Sequence, residues 1–234
     1  MCGRFSLTPD RASIVDEFNI GVVTDLDHIN VTERYNVAPT QPVAVVLPPP
    51  AGRADAGRVL TAMRWGIIPQ WMKPQPSGKT PPGWINARAE TAPTKPAFRG
   101  AFKYRRCVVP ASGFYEWEKR SDGPKQPWLI RAADDKTMGF AGLWETWCPP
   151  DGSELHTVTI LTTGPNTMMR EIHGRMPVIL DPEDYDRWMT IEPARAHELE
   201  GLLAPAIDGT VYKTAITTRV NSVRHDDPEC WSTL

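Results

Sequence analysis

Residues 105–117, RRCVVPASGFYEW, indicate most directly how this chain folds. The first part, 106–110, is a short and mainly apolar run, which predicts a buried strand. The second part, 113–119, alternates its side chains between two faces and places Glu116 between Tyr115 and Trp117, which predicts another strand. Short neighbouring strands of this kind favour a mainly antiparallel β core.

Further short elements extend this pattern along the whole chain. Strands are predicted at 42–47, 58–65, 125–132, 138–144, 155–162 and 210–216. Short helices are predicted at 98–104, 181–189 and 193–203, with a helical turn at 165–171 and a first helix that Thr8 caps and that ends at Phe18. Residues 20–34 are expected to form a polar loop, and 48–57 and 73–83 are expected to be flexible insertions. No repeat or long linker divides the chain, so we expect one α+β domain over residues 1–234.

The composition is that of a globular protein, and it excludes several classes. Of the 234 residues, 41% are hydrophobic, 23% are charged and 24 are proline, which favours short elements and irregular loops. No apolar run is long enough to span a membrane and the start is polar, so we expect a cytoplasmic protein, or a nuclear one in a eukaryote. A net charge of −2 argues against a domain that coats DNA over a whole face, and leaves a local groove.

The cysteines and histidines show no metal-ligand spacing. Four scattered cysteines argue against a disulfide framework or a structural zinc, so we expect no metal. Four of the five histidines have no partner pattern: His28, His156, His197 and His225. No cofactor motif is present, and no cofactor is expected.

The chain begins Met1-Cys2, and removal of Met1 would leave Cys2 with a free α-amine beside its thiol. The ordinary pKa values are roughly 8 for the amine and 8.5 for the thiol, so a useful fraction of each is expected to be nucleophilic at neutral pH. An amine and a thiol spaced in this way can both attack one aldehyde. The amine forms an imine and the thiol then closes a thiazolidine ring. The alternative is that Cys2 is an accident of the chain start.

Residues 86–90, Asn-Ala-Arg-Ala-Glu, carry polar side chains that a β core does not need for folding. In an extended segment Asn86, Arg88 and Glu90 share one face. An arginine in that position is suited to bind a phosphate through two hydrogen bonds. The alternative is a solvated edge strand.

Glu116 and His173 are candidates for proton transfer. A carboxylate between aromatic residues has a raised pKa, although an outer face of a half-exposed strand would explain Glu116 equally well. Histidine is the side chain best suited to exchange protons at neutral pH, and Gly174 permits a tight turn beside His173. Arg175 is placed to meet a phosphate. The alternative for His173 is a capping residue in a loop.

Seven motifs occur in an order that resembles the SRAP family, the SOS response-associated peptidases, now described as abasic-site processing proteins. They are MCGRF at 1–5, RYNVAPT at 34–40, the W-G-x-x-P-x-W motif at 65–71, INARAET at 85–91, RRCVVPASGFYEW at 105–117, LTT at 161–163 and IHGRMPVIL at 172–180. The resemblance covers residues 2–224. It implies a single domain with a curved β core and a positive groove for single-stranded DNA.

The resemblance also implies roles for individual residues. Family members join the N-terminal cysteine covalently to the aldehyde of an abasic site. By motif position the catalytic residues are Cys2 as the nucleophile, Asn86 holding the cysteine end, Glu116 as an acid/base, and His173 assisting ring opening. The residues implied in DNA binding are Arg4, Pro39, Trp71, Arg88, Trp117, Thr162 and Arg175. Met72 departs from relatives that carry a second tryptophan there, which weakens the expected contact beside the lesion.

Three functions are compatible with these residues. The first is covalent capture of abasic sites in single-stranded DNA during the DNA-damage response, with lyase activity as an accompanying reaction and association with the nucleoid when DNA is bound. The second is a cysteine-type peptidase that removes its own Met1, with Cys2 as nucleophile and His173 as base. The third is a single-strand binding module in which Cys2 is incidental. We expect a monomer.

Overall fold

A computed structural model of the chain describes residues 2–26 and 29–234. Met1, whose removal was predicted, and His28 lie outside the described residues. The strands are β1 (Phe5–Leu7), β2 (Ile20–Val23), β3 (Arg34–Val37), β4 (Pro42–Leu47), β5 (Arg58–Trp65), β6 (Asn86–Arg88), β7 (Arg106–Ala111), β8 (Gly113–Glu118), β9 (Gln126–Ala132), β10 (Met138–Trp147), β11 (Leu155–Thr163), β12 (Met176–Pro177), β13 (Ile179–Leu180) and β14 (Val211–Ala215).

The helices are short, as the proline content predicts. The α-helices are α1 (Arg11–Glu17), α2 (Arg99–Tyr104), α3 (Thr167–Arg170) and α4 (Tyr185–Thr190). The 3₁₀ helices are Ala54–Ala56, Pro182–Asp184, Pro193–Leu203, Thr218–Asn221 and Pro228–Trp231. Among the described residues no helix is long and apolar enough to cross a membrane.

Two sheets form the body of the molecule. One has the strand order β14-β9-β8-β1-β3, and the other follows the order β12-β11-β10-β7-β4-β5-β2. An additional pairing of β5 with β11 closes the strands β4, β5, β11, β10 and β7 of the second sheet into a ring. Strand β6 extends the ring by pairing with β11. The predicted fold class, α+β with a mainly antiparallel and curved β core, is confirmed.

Three strand pairs are parallel, which the sequence did not indicate. Strand β2 pairs with β5, and both β5 and β6 pair with β11. The predicted polar loop at 20–34 was wrong, because this segment contains β2 and the first residue of β3. The predicted cap of the first helix was also wrong. The side chain of Asp10, not that of Thr8, accepts the hydrogen bond from the Ser13 N–H at 2.8 Å.

The core lies on both sides of the strand ring. One cluster packs between the two sheets and includes Phe5, Trp65, Phe114 and Phe140, whose rings meet edge to face at 5.1–6.3 Å between centroids. The other cluster packs the helices against the outside of the ring, with Trp188 fully buried. Edge-to-face contacts of this kind add specific packing to the burial of apolar area.

The ring has a tight backbone contact next to the predicted insertion 73–83. Gly66 and Gly83 have φ angles of 129° and 73°, and a Cβ on Gly83 would lie 2.3 Å from the Gly66 carbonyl oxygen. Only glycine fits such a position. The contact pairs Ile67 with Trp84 and returns the chain from the insertion to β6. The flexibility predicted for 48–57 and 73–83 stays a prediction.

Candidate functional site

Cys2 lies three residues before β1 and is fully buried in the cluster between the two sheets. Its carbonyl oxygen accepts a hydrogen bond from the Asn86 side-chain amide at 2.8 Å. Its thiol lies 3.7 Å from the Arg4 carbonyl oxygen, to which it donates. The predicted nucleophile is therefore held at its backbone and its side chain before any substrate binds.

Burial opposes the ionisation that is expected for the Cys2 thiol at neutral pH. Burial, and after it the charge of Glu116, raise the pKa of the Cys2 thiol well above its ordinary value. A low-dielectric environment disfavours the thiolate, and a nearby carboxylate disfavours it further. The thiol therefore needs a base that removes its proton when it reacts.

Asn86 is positioned by β6, which runs parallel to β11 with Asn86 opposite Ile160. The side-chain nitrogen of Asn86 donates to the Cys2 carbonyl oxygen. The Asn86 Oδ1 atom is buried and has no hydrogen-bond partner among the residues that the structure describes. A buried acceptor without a hydrogen-bond partner lowers the stability of the folded protein. Asn86 thus offers an acceptor at the cysteine end of the site.

Glu116 lies on β8, which pairs with β1. Phe114 is opposite Phe5, and the Tyr115 N–H donates to the Arg4 carbonyl oxygen at 3.0 Å, so the pairing continues toward the chain start. Glu116 is 4% exposed, so the alternative of a half-exposed outer face was wrong. Burial raises the pKa of the Glu116 carboxyl, and the nearby His173 partly opposes this rise.

His173 follows α3, which Asn166 caps by accepting from the Met169 N–H at 3.0 Å. The Nδ1 atom of His173 accepts a hydrogen bond from the Arg175 backbone N–H at 3.1 Å. A neutral His173 that accepts this bond carries its proton on Nε2, whereas the other tautomer would donate from Nδ1 to the Arg175 carbonyl oxygen, 3.3 Å away. His173 also interacts electrostatically with Glu116, so the loop places an imidazole beside the buried carboxyl.

The guanidinium of Arg175 is anchored by three acceptor oxygens, and its side chain is largely buried. Its guanidinium donates to both carboxylate oxygens of Glu90, at 2.6 and 2.9 Å, and also to the Thr162 backbone carbonyl. The hydrogen bond from Arg175 lowers the pKa of the Glu90 carboxyl. Arg88 lies near Glu90, and its exposed side chain makes no hydrogen bond to a described residue.

Thr162, which was predicted to bind DNA, is fully buried on β11. Its hydroxyl lies 3.3 Å from the Arg175 guanidinium and 3.5 Å from the Ala87 carbonyl oxygen. A buried side chain of this kind has no route to a DNA strand in this conformation. We therefore expect Thr162 to act by holding Arg175.

Arg4 and Trp117 contact each other, and both bind residues of the C-terminal segment. The Arg4 guanidinium donates to the Asn36 side-chain oxygen at 2.6 Å and to the Val220 carbonyl at 2.8 Å. The same guanidinium lies 5.7 Å from the centroid of the Trp117 ring, and the Trp117 indole N–H donates to Asn221 at 2.6 Å. The C-terminal segment thus fixes both residues, an arrangement that the N-terminal motif alone did not indicate.

An aromatic surface lies after β5. Trp71 is 62% exposed, and its ring centroid is 6.3 Å from that of Trp84, which is 39% exposed. Trp84 packs edge to face on Phe98 at 6.0 Å. Sequence reasoning missed Trp84, because its proximity to Trp71 depends on the glycine contact that folds the insertion back. The sequence spacing of the two tryptophans does not indicate that their exposed side chains lie next to each other.

The structure brings the four predicted catalytic residues into one connected group: Cys2 with Asn86 by a hydrogen bond, and Cys2 with Glu116 and Glu116 with His173 by electrostatic interaction. Pro39 and Trp71 lie outside this group. Pro39 is half-buried in the turn where the Thr40 N–H donates to the Trp65 carbonyl oxygen. Among the described residues no group of three or more His, Cys, Asp or Glu side chains is arranged to hold a metal ion.

The fold and the site together define a β protein whose strand ring holds a buried cysteine beside an amide, a carboxyl and an imidazole. The profile of the family described as SOS response associated peptidase (SRAP) matches residues 1–223, and the chain belongs to this family. The resemblance seen in the sequence is confirmed.

Curated relatives agree with this assignment, and solved structures share the fold. The abasic site processing protein YoqW of Bacillus subtilis (strain 168) is 37% identical over 229 residues, which are 98% of each chain. The abasic site processing protein HMCES of Gallus gallus is 35% identical over 84% of this chain and 65% of its own length. A crystal structure from Bacteroides thetaiotaomicron superposes with a TM-score of 0.80 at 23% identity over the whole of both chains. One from Bordetella bronchiseptica has a TM-score of 0.77 at 25% identity, covering 92% of this chain and 100% of its own.

Proposed function

We propose that this protein captures abasic sites in single-stranded DNA by a covalent bond to Cys2, after Met1 has been removed. The observation that carries the proposal is the connected group of Cys2, Asn86, Glu116 and His173. Relatives named abasic site processing proteins support it, since the chain matches them over nearly its whole length.

The reaction that these residues favour has two bond-forming steps. The Cys2 α-amine adds to the aldehyde carbon of the opened sugar, and loss of one water gives an imine. The Cys2 thiol then adds to the same carbon, its proton is transferred to the nitrogen, and a five-membered thiazolidine ring closes. The sum is aldehyde plus aminothiol giving thiazolidine plus water, with no oxidant or reductant.

Glu116 is suited to the proton transfers of this sequence. Because burial raises its pKa, the carboxyl holds a proton closer to neutral pH than an ordinary glutamate does. In its ionised form we assign Glu116 the role of the base that accepts the proton of the Cys2 thiol. Glu116 is the acidic side chain whose charge acts on Cys2. The Nε2 proton of a neutral His173 is then suited to opening the closed sugar, which is the form most abasic sites adopt.

Thiazolidine formation also bears on the accompanying lyase reaction. Strand cleavage by elimination needs the C=N bond of the imine, and attack by the thiol removes that bond. A buried thiol beside its base therefore favours capture over cleavage. We propose lyase activity only for the imine that precedes ring closure.

The peptidase alternative rests on the same thiol. The Cys2 thiol would attack the carbonyl of Met1, and water would then release Met1 and leave the free α-amine that capture requires. Retention of Met1 in Glu116→Ala and His173→Ala, expressed without an outside aminopeptidase, would support this self-removal. Complete removal of Met1 from both variants would assign it to host processing.

DNA binding is proposed for the residues around this group. Exposed Arg88 is available to a phosphate directly, and exposed Trp71 is available for stacking on a base. A net charge of −2 is compatible, since only the groove needs positive potential. A monomeric state and association with the nucleoid stay predictions.

The experiment that tests the proposal uses the Met1-free protein and single-stranded DNA with one abasic site. We expect an adduct that survives denaturing electrophoresis. Cys2→Ala should give none, and the same DNA with a tetrahydrofuran site, which has no aldehyde, should also give none. An equal adduct yield from Cys2→Ala would refute the assignment to Cys2.

A further inference from the structure

The carboxylate of Glu90 binds the edge of the Arg175 guanidinium that arginine also uses to bind phosphate. Two N–H groups of Arg175 meet the two oxygens of Glu90 at 2.6 and 2.9 Å, which is the fork geometry that arginine also uses for phosphate. The Glu90 side chain is 52% exposed while that of Arg175 is 19% exposed. The carboxylate therefore lies on the solvent side of the guanidinium, where an incoming phosphate would have to bind.

The remaining contacts of Arg175 hold the guanidinium in place without Glu90. Thr162 binds it from the protein side through a backbone carbonyl and a hydroxyl, and the Arg175 backbone N–H donates to His173. Loss of the Glu90 contact would thus leave the guanidinium positioned and open on one side. Arg88 lies near Glu90 and adds a second positive charge to this place.

We propose that Glu90 is a competing ligand that occupies a DNA phosphate site on Arg175 in the free protein, and that it thereby sets the affinity of this site for single-stranded DNA. The proposal rests on the proposed function for the identity of the ligand. A phosphate next to the lesion displaces the carboxylate and takes its two hydrogen bonds. The displaced carboxylate turns to solvent, which its exposure already allows.

The competition has a measurable signature in salt. A phosphate bound by a free arginine releases counterions, and the logarithm of the binding constant for a single strand falls with a slope of roughly −0.7 per contact. When a carboxylate must be displaced, it recruits a cation from solution and offsets part of that release. Glu90→Gln should therefore steepen the salt dependence by up to about 0.7 and tighten binding roughly two- to five-fold, the range of a partly exposed ion pair.

The test measures reversible binding of the full Met1-free chain to a single-stranded oligonucleotide with a tetrahydrofuran site, at several salt concentrations. This probe has no aldehyde, so no adduct interferes. Glu198→Gln is the matched control, because both carboxylate oxygens of Glu198 also accept hydrogen bonds from one arginine, Arg195, on the 3₁₀ helix Pro193–Leu203. Thermal melts of each variant establish that it is folded.

The decisive comparison is made in an Arg175→Gln background. Competition predicts that Glu90→Gln tightens binding in the parent chain and has no effect once Arg175 is gone. An equal gain in both backgrounds would mean that Glu90 acts only as a distant negative charge, and would overturn the proposal. Weaker binding of Glu90→Gln in the parent chain would make Glu90 a residue that orients Arg175, which also overturns it.

Adduct formation with aldehyde-bearing DNA is scored separately. Failure of that reaction together with the expected response of Glu90→Gln would refute covalent capture and leave the phosphate site standing. The opposite pair of results would refute the competition and leave capture standing.

Discussion

Replacement of Glu116 by glutamine should make the protein more stable and less active at the same time. Glutamine has nearly the same shape but cannot ionise, so the buried site holds no carboxylate charge at any pH. In the parent chain burial raises the pKa of Glu116, which means that the folded state favours the protonated form. Ionisation of Glu116 above that pKa lowers the unfolding free energy of the parent chain. The glutamine variant does not ionise and keeps this free energy.

The sign and size of the effect follow from proton linkage. A raised pKa in the folded state stabilises the protein fully below the unfolded-state pKa of about 4.5, and this contribution is lost as the pH rises through the folded-state pKa. Each unit between the two pKa values corresponds to about 1.4 kcal/mol of unfolding free energy. For a chain of this size 1 kcal/mol moves the Tm by roughly 2–4 °C. Glu116→Gln should therefore have a higher Tm than the parent at pH 8 and no higher Tm at pH 4.

The chemistry should move in the opposite direction. Loss of a positioned proton donor and acceptor lowers the rate of a step by typically 10²–10⁴-fold. The assay pairs thermal melts at pH 4 and pH 8 with single-turnover adduct formation on abasic single-stranded DNA. Glu118→Gln is the matched control, because Glu118 lies two residues further along β8 and is partly exposed, with its carboxylate accepting from the Trp128 indole N–H at 2.9 Å.

Two results would refute this reasoning. A Tm for Glu116→Gln that falls further below the parent at pH 8 than at pH 4 would show that the buried carboxyl stabilises the fold in its charged form. An adduct rate equal to that of the parent would show that Glu116 moves no proton in the reaction.

Three further predictions follow from the site. Asn86→Ala should slow adduct formation on single-stranded abasic DNA and lower the unfolding free energy by about 1–3 kcal/mol, because the buried Cys2 carbonyl loses its 2.8 Å hydrogen bond; chemical denaturation that shows no loss would contradict this. Trp84→Ala and Trp71→Ala should each weaken binding to single-stranded DNA by about 1–3 kcal/mol if both rings stack on bases, and a change for Trp71 alone would remove Trp84 from the DNA-binding surface. Gly83→Ala should lower the Tm markedly, since its Cβ would lie 2.3 Å from a backbone oxygen, and an unchanged Tm would mean that the contact relaxes freely.

The sequence predicted those parts of the fold that depend on local pattern. Strands β7 and β8 were found within one residue of their observed ends, because their apolar and alternating residues repeat over five or six positions. Strand β2 was missed, since Ile20–Val23 is a short apolar run followed by a polar stretch, and its parallel partner β5 is nearly 40 residues away along the chain. β propensity depends on such partners more than on the strand itself.

The site shows the same division. The motifs carried the identities of Cys2, Asn86, Glu116 and His173, and the structure connects all four. Burial of the Cys2 thiol was not predictable from two letters at the chain start, because it results from the pairing of β1 with β8 and from the cluster between the sheets. The state of Arg175 was also out of reach, since Glu90 is 85 residues away and is brought close by the neighbours of β11.

The most direct test of the central claim counts the thiols left in the adduct. The chain has four cysteines, Cys2, Cys107, Cys148 and Cys230. The adduct of the Met1-free protein with abasic single-stranded DNA is denatured, alkylated at its free thiols and weighed intact. A thiazolidine at Cys2 predicts the mass of protein plus DNA minus one water, with three alkyl groups. The same mass with four alkyl groups would show an imine whose Cys2 thiol stayed free, and would contradict capture by ring closure.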